Sequence, residues 1–218
     1  MKSNICKLNK DLSCLETILN EVEKVTKYNG LEGKKALRLR LLAEELCGML
    51  PGLVENFNGE FWTENEGNSY KLHVELVADD MTMDMRDELI SVSKSGKNAA
   101  AKGIMGKIRA VAETMLLVAF DPTLSVPVME CDYYDYHGYN MGFGYVDSSI
   151  AVETGYTYIW SLCNYKTAVE EEDDAFAELE RSIVANLADD IIVGVRGKRV
   201  EIVVKKSFDV VYDFVNRN

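Results

Sequence analysis

The chain has 218 residues, 47% of them apolar, and a formal net charge of -12. That apolar content supplies a core for one large domain, or a domain with an insertion, and excludes global disorder. A chain this acidic is not built to neutralise phosphates, which excludes nucleic acid and anionic membrane surfaces as partners.

The five cysteines, Cys6, Cys14, Cys47, Cys131 and Cys163, are odd in number and none forms a Cys-x-x-Cys. Neither a disulfide scaffold nor a zinc site follows from that spacing. Reduced thiols predict a cytoplasmic protein. The first ten residues lack the apolar run of a signal peptide. No segment approaches the ~20 apolar residues that span a bilayer.

In chain order, Asp11 or Ser13 can cap a first helix that runs to about residue 28. Leu15, Ile18, Leu19, Val22 and Val25 carry its apolar face, and Asn29-Gly30 ends it. A second helix spans 36–50. Leu39, Leu42, Ala43, Leu46, Met49 and Leu50 share one broad face. Leu37 and Leu41 lie on the back among charges, which predicts a helix sandwiched between a sheet and the first helix. Pro51-Gly52 fits its end. Residues 59–65 and 70–78 then read as two strands around the turn Glu66-Gly67-Asn68, and the second alternates apolar and polar residues.

A short helix can start at Thr82 or Asp84. Residues 93–109 are the densest run of small and basic residues. From about Gly103 helical spacing returns, with Ile104, Ile108, Val111 and Met115 on one side. Residues 121–168 hold eight of the eleven tyrosines and read as an insertion packed on the main fold, with a strand at 156–160. Within it, 132–145 carries Tyr133, Tyr134, Tyr136 and Tyr139 among glycines. Those rings either fold onto their own core or form a recognition loop. The acids at 170–174 open a helix whose Phe176, Leu179, Ile183 and Leu187 form a core stripe. Acids in succession point round a helix and do not converge on a metal. The chain closes with a hairpin of 190–195 and 199–206 about Arg196-Gly197-Lys198. The tail from about 209 is loose.

The order is helix, Leu-rich helix with a Glu pair, two strands, Asp, glycine-bearing loop, helix, then helix and hairpin. It resembles the histidine-kinase-like (GHKL) ATPase fold, and most its anti-sigma-factor serine-kinase branch. Residues 37–80 and 179–204 carry the resemblance; the Tyr-rich insertion has no counterpart. The resemblance implies a single α/β domain over 1–218, a two-layer sandwich whose antiparallel or mixed sheet is covered by helices.

It also implies a site. The family's second helix carries Glu-x-x-x-Asn, in which Glu is the general base and Asn ligates Mg²⁺. Here Glu44 is followed by Gly48 and Glu45 by Met49, and neither replacement offers a side chain for a hard cation. The family's Asp-x-Gly-x-Gly reads Asp79-Asp80-Met81-Thr82-Met83, which keeps an aspartate and loses both glycines. Ser95, Gly96 and Lys97, then Gly103, Gly106 and Lys107, are similar to the family's glycine-rich lid, and helix-start amides can hold an anion. No Walker spacing precedes Gly106-Lys107.

Two functions are consistent with these residues. One is a catalytically degenerate regulatory protein of the bacterial anti-sigma-factor kind. It acts through a protein partner, with a homodimer as one form, and needs no metal or cofactor. The other is an ATP-binding ATPase or protein-serine kinase with Glu45 as general base. ATP would then bind at Asp79 and the 93–107 loop. A triad built on His73 or His137 is not supported, since one lies in a strand and the other in a Tyr/Gly loop.

Overall fold

The computed structural model describes residues 1–8, 13–50, 57–78, 104, 106, 108, 111–112, 115–116, 144–145, 158–168 and 182–208. Its frame is two hairpins. Strands β2 (Phe57–Glu66) and β3 (Ser69–Ala78) turn at Gly67, whose φ of +59° suits a residue without Cβ. Strands β6 (Asp190–Arg196) and β7 (Arg199–Ser207) turn at Gly197, with φ +57°. Each strand runs slightly beyond the span that its alternation predicts.

The hairpins join edge to edge. Strand β3 pairs antiparallel with β7, Leu72 opposite Val204 and Val74 opposite Ile202. Strand β1 (Cys6–Leu8) adds to β2, while β4 (Gly144–Tyr145) and β5 (Tyr158–Ser161) extend the other side. The order is β1-β2-β3-β7-β6-β5-β4, and every pairing is antiparallel. The four predicted core strands therefore share one sheet.

One face of that sheet is the core. Leu8, Phe61, Tyr70, Leu72, Val74, Leu76, Ile202 and Val193 are among its fully buried members. The register forces one glycine there. Gly59 lies between Leu8 and Leu76, and a Cβ would come within 2.7 Å of Leu76 Cδ2 and 3.0 Å of Leu8 Cβ. A side chain at 59 would separate β1 from β2.

Helices α1 (Leu15–Tyr28) and α2 (Gly33–Gly48) cover this face. They pack on each other, and each also reaches the sheet, α1 at β2 and α2 at β7. Their cores are Ile18, Leu19, Val22 and Val25, and Leu39, Leu42, Ala43, Leu46 and Cys47. The expected sandwiching of α2 is corrected here. The first helix lies beside α2, not behind it, so Leu37 is 63% exposed. Two helix faces compete for the same sheet, and lateral packing lets both bury a stripe on it.

The starts of both helices also differ from expectation, while α1 ends at Tyr28 as predicted. Cys14 precedes α1 without a side-chain cap, and α2 begins three residues before Ala36, after an extended Glu32. The residues Pro51-Gly52 lie outside the described residues.

Ile104, Ile108, Val111 and Met115 are helical and buried, as their spacing predicts, with Ala112 and Leu116 beside them. Helix α3 (Leu162–Ala168) follows β5 directly. Its start is tied to β6: Asp190 Oδ1 accepts from Ser161 Oγ and from the Cys163 amide, both at 3.0 Å. The last helix, α4 (Ile183–Leu187), corrects another expectation. It does not continue unbroken from the acidic run, because Ser182 has extended backbone and caps it, its Oγ accepting from the Ala185 amide at 3.2 Å. The helical phase restarts there, so Val184 and Ala185 are buried and Ile183 is 54% exposed.

Candidate functional site

Glu45 lies in the last turns of α2, half-buried, with no hydrogen bond or ion pair among the described residues. Gly48 is exposed, and a Cβ there would meet nothing within 4 Å. Gly106 is helical and half-buried. Asp79, Ser95, Gly96, Lys97, Gly103 and Lys107 lie outside the described residues, as does the tyrosine segment 132–143. Of the predicted site residues, only Glu45 and Gly106 are therefore among the described residues.

The described ionisable groups converge elsewhere, on the sheet face opposite the core. Alternation puts Trp62 and Glu64 of β2, His73 and Glu75 of β3, and Glu201 and Val203 of β7 on that side. The register aligns Trp62 with His73 and His73 with Val203. The indole and imidazole stack with centroids 4.8 Å apart and planes 7° from parallel. His73 is only 8% exposed. Its Nδ1 lies 2.9 Å from Glu201 Oε1, a hydrogen bond. Its Nε2 lies 3.6 Å from Glu64 Oε2, beyond hydrogen-bond reach, and is buried without a hydrogen-bond partner.

Glu64 is held from several sides. The Trp62 Nε1–H donates to it at 3.0 Å, and Lys2 Nζ stands 3.5 Å away, above the Trp62 ring at 4.3 Å. Burial alone would raise its carboxyl. The Trp62 hydrogen bond, His73 and Lys2 together outweigh that and hold it below the ordinary carboxylate value.

A second row crosses the same face. Glu60, Glu75 and Glu201 stand directly opposite one another on β2, β3 and β7. Like charges in that relation repel. Each carboxylate has its own cation or imidazole: Lys7 at 2.5 Å from Glu60, Arg199 at 2.8 Å from Glu75, and His73 for Glu201. Near Lys2 and Glu64 the surface dips into a cleft of about 490 Å³, also lined by Asn65, Glu66 and Lys71. Glu45 does not line it.

This arrangement orients an imidazole firmly between two carboxylates. No Ser, Thr or Cys side chain hydrogen-bonds to His73 among the described residues, so the arrangement shows no imidazole-activated nucleophile there. Nor do three or more His, Cys, Asp or Glu side chains converge to hold a metal, again among the described residues. The sequence places His73 in a strand, but the partners Glu64 and Glu201 follow only from strand register. The β2–β3 turn gives the first; the second needs a pairing 128 residues apart.

Cys6, Cys14, Cys47 and Cys163 are free. Burial pushes the Cys47 thiol up to about 12, with smaller contributions from Cys14 and Cys6. That thiol is a core residue, inert as a nucleophile. Among the described residues no helix is long and apolar enough to cross a membrane.

No family model, curated protein or solved structure matches this chain.

Proposed function

We propose that this chain is a GHKL-like regulatory module that acts by binding another protein, in the anti-sigma-factor manner, without Mg²⁺-nucleotide chemistry. One observation carries the reading. The end of α2, where the family mounts its metal ligand, presents Gly48, exposed and without a side chain, in the frame of Glu44, and Met49, a half-buried thioether, in the frame of Glu45. A hard cation there would find no side-chain oxygen donor from either position. The order β1, α1, α2, β2–β3 and a closing β6–β7 hairpin in one sheet supports the architectural half of the reading. The free thiols Cys6, Cys14, Cys47 and Cys163 support a reducing cytoplasm as its compartment.

Thermal melting with and without Mg-ATP tests it. A ligand at 100 times its Kd would add about 2.7 kcal/mol of stability. The expected result is an unchanged melting temperature and no phosphate release. A clear upward shift, together with turnover that vanishes in Glu45→Ala, would establish the ATPase or kinase reading instead.

A further inference from the structure

We infer that the outer face of α2 is a self-association surface, on which a second copy of this chain packs antiparallel. Helical spacing sets Lys34, Leu37, Arg38, Leu41, Glu44 and Gly48 along one stripe turned away from the sheet. Lys34, Leu37, Arg38, Glu44 and Gly48 are exposed, and Leu41 is half-buried. Leu37, at 63%, is among the most exposed large apolar side chains described.

The charges along the stripe are polarised. Lys34 and Arg38 occupy its N-terminal half, Glu44 and Glu45 its C-terminal half. The helix has no acid in its first turn and no base in its last. Both choices oppose its own dipole, which favours acids at the N-terminus and bases at the C-terminus. Arg40 is paired to Glu23 of α1, whereas Lys34, Arg38, Glu44 and Glu45 have no partner among the described residues. Among the described residues, then, this pattern is uncompensated.

An antiparallel copy compensates it. With the two-fold axis at Leu41, residues three positions either side face each other, so Arg38 of each copy meets Glu44 of the other. Four positions out, Leu37 lies along the stem of Glu45. Seven out, Lys34 crosses Gly48, where no side chain blocks close approach. A two-fold interface repeats every contact, so one favourable pair counts twice. The helix dipoles also run antiparallel. This inference uses the exposed charges of α2 and does not depend on the nucleotide reading.

Sedimentation of the full chain at ~100 μM and low salt tests it, a loading that populates a dimer of micromolar Kd. The expected result is a dimer that weakens as salt rises. Arg38→Glu should raise Kd at least about tenfold, since it sets two pairs of like charges face to face. Glu44→Arg alone should do the same, and the Arg38→Glu/Glu44→Arg double variant should return to within about threefold of the parent, because the pairs are restored with reversed sign. Melting of each variant controls for folding; both positions are exposed. A monomer at this concentration would overturn the inference. So would a dimer indifferent to Arg38→Glu, or a double variant no tighter than the singles.

Discussion

Gly59 shows how register dictates a single residue. It sits on the core face between Leu8 and Leu76, where a Cβ would collide with both. Gly59→Val should cost about 1–3 kcal/mol in denaturant unfolding, the usual range for overpacking. Wild-type stability in that variant would mean that β1 does not lie against β2 as described. Glu64 shows how neighbours dictate a charge. Its folded-state carboxyl is depressed below its ordinary value of 4.5. Its contribution is therefore present above that value and lost as pH falls through the lower, folded-state one. Glu64→Gln should flatten the acid limb of the stability curve, modestly, because the side chain is 40% exposed. An acid limb of unchanged slope would sink the assignment. Neither residue advertises itself in the sequence. Gly59 reads as an ordinary strand residue, and Glu64 as a polar one, until β1, Lys2 and the β2–β3 register are known to lie where they do.

At the scale of elements, periodicity was a sound guide to which face is buried and a poor one to what lies beyond it. The inner stripe of α2 and the buried set Ile104, Ile108, Val111 and Met115 are as their spacing implies. Leu37 misleads because a leucine among charges signals a second apolar surface without saying what meets it. Ile183 misleads for another reason: the spacing from Leu179 assumes an unbroken helix, and Ser182 resets the phase. Strand β1, three residues long, offers too little alternation to recognise. Helix α4 gives a sharp test of the reset. Ser182→Ala should cost ~1 kcal/mol by losing the cap to the Ala185 amide. Val184→Ala should cost about 2 kcal/mol from the core, and Ile183→Ser should stay within about 0.5 kcal/mol. If Ile183→Ser proves the most damaging of the three, the helix runs on from residue 179 and the described phase is wrong.

For the whole molecule, the decisive contact is the one between the two hairpins. Each hairpin is local, fixed by its own glycine turn, and each is legible from alternation alone. Their union through β3 and β7 is not, since it joins residues 128 apart and no short-range signal specifies which edge meets which. The candidate site inherits this limit: His73 sits on one hairpin and Glu201 on the other. The same geometry ranks the strands by stability. Strands β3 and β7 have neighbours on both sides, and their core faces carry Leu72, Val74, Ile202 and Val204, all fully buried. Strand β1 has three residues and a single neighbour. Opening β1 breaks only its bonds to β2, whereas exposing β3 or β7 requires parting the hairpins, a near-global event. Native-state amide exchange should therefore find the slowest amides in β3 and β7, exchanging with the free energy of complete unfolding. The amides of Cys6 to Leu8 should exchange through local opening and respond weakly to denaturant. Equal protection in β1 and β3 would refute that hierarchy. Loss of β3–β7 protection while both hairpins stay protected would show the hairpins to be separate cooperative units.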